Sequence, residues 1–129
     1  MADGLTADAE ALLSSEPLVA HLATCRDGAP HVAPVWYALN DGRIEVATTG
    51  RKLANLRANP QVALSVQKAE GADPVWGVSL QGTASVVEDE AAGRAVIRRI
   101  NRRYGEDPDA WSENTAVVIA VEDVSSWRY

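Results

Sequence analysis

Leu18-Val19-Ala20-His21-Leu22-Ala23-Thr24 is a compact apolar run, and Arg26-Asp27-Gly28-Ala29-Pro30 follows it. Asp-Gly between two apolar runs is the dipeptide of a tight hairpin turn, because both central residues must take positive φ. His31–Leu39 continues as a second strand, and Asn40-Asp41-Gly42 supplies another tight turn. Arg43-Ile44-Glu45-Val46-Ala47-Thr48 then alternates apolar and polar residues with the period of a half-buried strand. The stretch from Leu18 to Thr48 therefore predicts a three-stranded meander. Pro34 has no N–H to give to a ladder, so the second strand requires an edge, a bulge or a ligand-facing gap there.

Working outward, Ala7–Ser14 reads as a short helix with Thr6 as its cap. Arg51–Asn59 switches to helical spacing through Leu53 and Leu56, and Pro60 stops it. Gln61–Gln67 places Val62, Leu64 and Val66 on one strand face, and Lys68–Pro74 reads as a loop. Val75–Val87 is a long strand, bent at Gly77 or Gly82. Glu88–Tyr104 is a second substantial helix, acidic at its start and arginine-rich at its end, closed by Gly105. Ala116–Val121 is a buried strand, with Glu122–Tyr129 as a tail. About six strands joined mostly by hairpins, with no alternation of strand and helix, predict a mainly β protein built on a closed or nearly closed antiparallel barrel.

The 129 residues make one domain by size, with 47% hydrophobic and 23% charged residues. A net charge of −6 opposes a sequence-independent grip on nucleic acid or an anionic membrane, so any anion site must be local. The lone cysteine, Cys25, cannot form an intrachain disulfide, and no Cys/His spacing matches a zinc site. The acidic opening MADGLTADAEALLSSEP has no basic n-region, and no apolar run approaches the ~20 residues of a membrane span. These features lead us to expect a cytoplasmic protein without metal.

Thr48-Thr49-Gly50-Arg51-Lys52 carries the chemistry. Two hydroxyls and two cations surround free N–H groups at a helix start, which suits a phosphate. Arg51, Lys52 and Arg57 solvating an exposed helix is the equal alternative. His21 reads as a strand residue, His31 as a solvated hairpin residue, and Cys25 as a small buried or rim residue. Arg94, Arg98 and Arg102, with Arg99 and Arg103 beside them, form a basic helical stripe that reads as a solvated face. Ala92, Val96, Ile100 and Tyr104 form the face that packs on the barrel. Trp76, Trp111 and Trp127 read as core or interface residues, with Trp76 as a second option for lining a cleft.

Leu22-Ala23-Thr24, Asp27-Gly28, Pro30-His31-Val32-Ala33-Pro34-Val35-Trp36-Tyr37, Lys52, Asn55-Leu56 and Asn59-Pro60-Gln61-Val62-Ala63-Leu64 together resemble the pyridoxamine 5′-phosphate oxidase-like split-barrel flavoproteins. The resemblance implies a six-stranded antiparallel split β-barrel and a homodimer with a cofactor, coenzyme F420 (a deazaflavin) or FMN, at the subunit interface. It implies that Thr48, Thr49, Arg51 and Lys52 hold the cofactor phosphate, with Asn55 reinforcing that loop. It further implies that the backbone of Ala33, Pro34, Val35 and Trp36 lies against the ring. The implied activity is hydride or electron transfer to a small organic substrate, with no obligatory catalytic side chain. A non-catalytic flavin- or haem-binding protein on the same barrel is the alternative. The short, Ala- and Arg-rich chain is closer to small deazaflavin reductases than to the oxidase. Its ending, Ser125-Ser126-Trp127-Arg128-Tyr129, has no counterpart of the oxidase's Arg-x-His substrate element.

Overall fold

A computed structural model describes residues 4–129. Seven strands form one antiparallel sheet: β1 (Ala20–Arg26), β2 (Ala29–Val35), β3 (Tyr37–Asn40), β4 (Arg43–Thr48), β5 (Gln61–Glu70), β6 (Asp73–Val86) and β7 (Thr115–Arg128). Three helices accompany them: α1 (Ala7–Ser15), α2 (Gly50–Ala58) and α3 (Glu90–Arg103). The strand order is β2-β1-β5-β6-β7-β4-β3. Only Trp36 separates β2 from β3 in the chain, yet these strands form opposite edges of the sheet. A sheet whose two edges are joined by one residue must curl until they adjoin, which makes a barrel open along one seam. Among the described residues, no helix is long and apolar enough to cross a membrane.

The hairpins follow the turn chemistry. Asp27 and Gly28 stand at φ 51° and 79°, and Asp41 and Gly42 at 55° and 74°, as two-residue hairpin turns require. The strand expected over His31–Leu39 is two strands, giving seven rather than six. Residues up to Val35 pair with β1, whereas Tyr37–Asn40 pair with β4, so the ladder breaks at Trp36. Pro34 lies on β2, an edge strand, where a missing N–H is tolerated. The expected loop over 68–74 is a tight turn at Gly71-Ala72, since pairing continues to Glu70 and Asp73. The expected tail from Glu122 is strand as far as Arg128, held against β6 by pairs such as Ser125 with Ser79 and Arg128 with Trp76.

Ala20 and Leu22 of β1, Val62, Leu64 and Val66 of β5, Val78 and Leu80 of β6, and Val117, Ile119 and Val121 of β7 fill the barrel. Ala9, Leu12 and Leu13 of α1 join the same core. Thr6 caps α1 by accepting from the Ala9 N–H at 3.1 Å. Burying each large apolar side chain contributes about 1.5–3 kcal/mol. A second cluster lies under α3, where Val96, Ile97 and Ile100 meet Ala38 and Ala116. Asp89 caps this helix through the Ala92 N–H at 2.8 Å. Ala92 itself is exposed; the inward face is Gly93, Val96, Ile97, Ile100 and Asn101.

Arg94 and Arg102 are exposed, as a solvated face requires, whereas Arg98, Arg99 and Arg103 are engaged elsewhere. Arg99 grips the buried Glu45 carboxylate with two hydrogen bonds, at 2.9 and 2.6 Å. Arg98 pairs with Asp109, and Arg103 donates to the carbonyls of Leu13 and Glu16, both at 2.6 Å. These contacts bind α3 to β4, to the segment after it, and to the end of α1.

Candidate functional site

A cavity of about 380 Å³ opens at the barrel seam. Val19, Pro34, Val35 and Trp36 come from the seam, Ala47, Thr48 and Thr49 from the end of β4, and Lys52 from α2. Ile97, Ile100 and Asn101 of α3, with Trp111 and Asn114 beyond it, complete the lining.

The polar part is built where β4 stops. Thr48 and Thr49 leave the strand, and Gly50 at φ 63° turns the chain into α2. The first N–H groups of a helix have no intrahelical acceptor. Thr49 stands at the cap position but its side chain makes no capping hydrogen bond. The Thr48 side-chain oxygen is buried and has no hydrogen-bond partner among the described residues. Lys52 makes no ion pair among the described residues. Free donors, an orphaned hydroxyl and an unpaired cation thus converge, as an anionic group requires.

The apolar part is fixed by two tyrosines. Trp36 stacks on Tyr104, with ring centroids 4.5 Å apart and planes within 2° of parallel. The Tyr104 hydroxyl accepts from the Tyr37 N–H at 3.1 Å and donates to the Leu18 carbonyl at 2.6 Å. One side chain therefore ties both sides of the seam. Burial pushes the Tyr104 hydroxyl above its usual titration range. The Tyr37 hydroxyl donates to the Leu13 carbonyl at 2.7 Å. Burial raises its pKa from 10.0 to about 12, against the pull of the Arg103 guanidinium 4.8 Å above its ring.

A neutral tyrosine favoured by the fold contributes stability that is fully present below the unfolded value of 10.0 and is lost as pH rises toward about 12. We expect the urea midpoint to fall across that window and the fall to be shallower in Tyr37→Phe. Equal slopes for the two proteins would contradict this account of Tyr37.

Of the residues expected at the site, Pro34, Val35, Trp36, Thr48, Thr49 and Lys52 share the cleft. Ala33 lies one position up β2, paired with Leu22, and is not among the residues lining the cleft. Arg51 and Asn55 line a different depression, with Arg26 and His31. Asn55 is buried and donates to the Thr24 hydroxyl at 3.1 Å, tying α2 to β1. His21 is exposed on β1, His31 and Cys25 are half-buried, and Trp76 is in the core. Trp127 lies over Gly77 on the outside of the β6–β7 ladder. Sequence reasoning did not anticipate Val19, Ala47, Ile97, Ile100, Asn101 or Asn114, nor that Trp111, rather than Trp76, would join Trp36 at the cleft. Only tertiary packing brings α3 and the following segment over the end of β4.

An antiparallel barrel split at one seam, with an apolar cleft and an anion-suited helix start beside it, is the architecture of the pyridoxamine 5′-phosphate oxidase-like split barrels. The chain belongs to that family: the profile described as pyridoxamine 5′-phosphate oxidase matches residues 5–128. Among solved structures, a conserved hypothetical protein from Mycobacterium tuberculosis is 30% identical, with a TM-score of 0.81, covering 99% of this chain and 88% of its own. An F420 reductase is 29% identical, with a TM-score of 0.72, covering 89% of this chain and 94% of its own. A haem storage protein from Vibrio cholerae, 21% identical with a TM-score of 0.77 over 95% of this chain and 93% of its own, shares the fold. A comparison with the curated proteins finds no match.

Proposed function

We propose that the chain is a single-domain, homodimeric oxidoreductase that holds coenzyme F420 or FMN in the seam cleft and reduces or oxidises a small organic substrate there. The observation that carries this reading is the buried, unpartnered Thr48 hydroxyl beside the uncapped start of α2 and the unpaired Lys52. Similarity to an F420 reductase supports the redox reading.

Lys52, Thr48, Thr49 and the first N–H groups of α2 would hold the phosphate. Pro34 and Val35 on the edge strand β2, with Trp36 at the break in the ladder, would flank the ring. Either cofactor, when bound, supplies a ring that takes up and gives up a hydride. Val19, Val35, Ile97 and Ile100 would keep water from that ring, and the Tyr104 stack holds the Trp36 indole in place. No carboxylate or histidine is among the residues lining the cleft, so the chain contributes hold, shape and dryness rather than a side-chain acid or base. The lining from this chain also holds no histidine or cysteine that would hold a haem, which favours the flavin-type reading. Val75, Trp127 and Tyr129 expose apolar surface at one end of the β6–β7 ladder, which supports a dimer contact.

The test is titration of the purified protein with FMN and with F420. We expect saturable binding of at least one, weakened about 10- to 100-fold in Lys52→Ala through loss of a charge-assisted hydrogen bond. Light scattering should give twice 13.8 kDa. Binding of neither cofactor would reject the reading.

A further inference from the structure

Three residues other than glycine have positive φ among the described residues: Asp27, Asp41 and Trp111. The two aspartates occupy hairpin turns that require it. Trp111, at φ 57°, belongs to the connection between α3 and β7, and a bulky side chain is strained in left-handed backbone. The surroundings hold it there. Buried Asn101 donates its side-chain amide to the carbonyls of Pro108 at 3.0 Å and Ala110 at 2.8 Å. Arg98 secures Asp109, and the Trp111 carbonyl accepts from the Asn114 N–H at 3.0 Å.

What this strain achieves is a placement. Trp111 lines the cleft that Trp36 also lines, and 50% of it stays exposed, whereas the packed Trp76 is 6% exposed. Over-determined strain that delivers a large aromatic face to a cavity is strain maintained for a ligand rather than for the core. An indole face recognises a flat, apolar ring and is indifferent to a phosphate.

We propose that Trp111 is a specificity-determining residue, the aromatic wall on which a planar ring system rests in the cleft, and that Asn101 is its positioning residue. The inference rests on the cofactor reading of the cleft and assigns ring recognition to Trp111, separately from the phosphate site at Lys52.

Riboflavin, which has the ring but no phosphate, separates the two. Riboflavin and FMN are titrated against the full-length protein and its Trp111→Gly, Trp111→Phe, Asn101→Ala and Lys52→Ala variants. Trp111→Gly weakens both ligands by the same factor, about tenfold, and Trp111→Phe restores most of it. Lys52→Ala weakens FMN alone. Glycine takes φ 57° without strain, so the Trp111→Gly protein melts close to wild type and the loss is not unfolding. Asn101→Ala weakens riboflavin similarly and speeds amide exchange over Ala110–Asn114, which a passive core residue would not couple to ring binding. If the wild-type protein binds FMN and Trp111→Gly binds it equally well, the wall is wrong and the cofactor reading stands. If the wild-type protein binds neither riboflavin, FMN nor F420, both fall together.

Discussion

Arg99→Met is expected to lower unfolding free energy by about 3–5 kcal/mol, the cost of leaving a buried charge without its partner. Glu45 sits between Ile44 and Val46 on β4, and its side chain is 2% exposed. Arg99 reaches it from α3 with two parallel hydrogen bonds, and those bonds in turn hold the guanidinium more firmly protonated than usual. Methionine keeps the length and the apolar stem of arginine, so packing changes little and the stranded carboxylate accounts for the loss. The double variant Arg99→Met with Glu45→Met should recover most of the stability, because the pair's net contribution is far smaller than the cost of breaking it. Urea unfolding of the three proteins measures this. A single variant within about 1 kcal/mol of wild type would mean that Glu45 reaches solvent after all.

Gly82→Ala is expected to cost about 3 kcal/mol, the upper end for overpacking, because the neighbour it meets is main chain rather than a movable side chain. Gly82 marks the register shift on β6: Gln81 opposes Asp123 and Gly82 opposes Val121, so Glu122 is the extra residue of a bulge on β7. A methyl group at Gly82 would lie inside the contact distance of the Ala120 carbonyl oxygen and 3.0 Å from an Ile119 methyl. The paired strands would have to part there, in the middle of the longest ladder. Ser85→Ala, at an exposed position on the same strand, should change stability by less than about 0.5 kcal/mol. Similar thermal midpoints for both variants would show that the bulge yields without cost.

The parts of the fold that were legible in the sequence depend on local chemistry. Asp27-Gly28 and Asp41-Gly42 announce their turns because few other dipeptides accept positive φ twice in succession. Thr48-Thr49-Gly50-Arg51-Lys52 shows itself as hydroxyls, glycine and cations at a strand-to-helix junction. The parts that were not legible depend on what arrives from far away. Glu122–Arg128 looks like a tail because most of its residues are polar, yet pairing to β6 makes it strand while burying little of it beyond part of Val124. Arg99 looks like one member of a solvated stripe because its partner Glu45 is 54 positions distant. Nothing adjacent to Asn101 or Trp111 signals that one anchors the segment that the other uses to reach the cleft.

The one-residue step at Trp36 also bears on how the chain finds this arrangement. Residues Val35 and Tyr37 are near neighbours in the chain but lie at opposite ends of the strand order. Six strand pairings separate them, and three of those, β1 with β5, β6 with β7 and β4 with β7, close long loops. Loop closure must be achieved before such distant pairings are rewarded, and folds dominated by them assemble slowly. Closing the sheet around Trp36 requires all six pairings, so the seam, and with it the cleft, depends on the distant pairings as much as on the local hairpins.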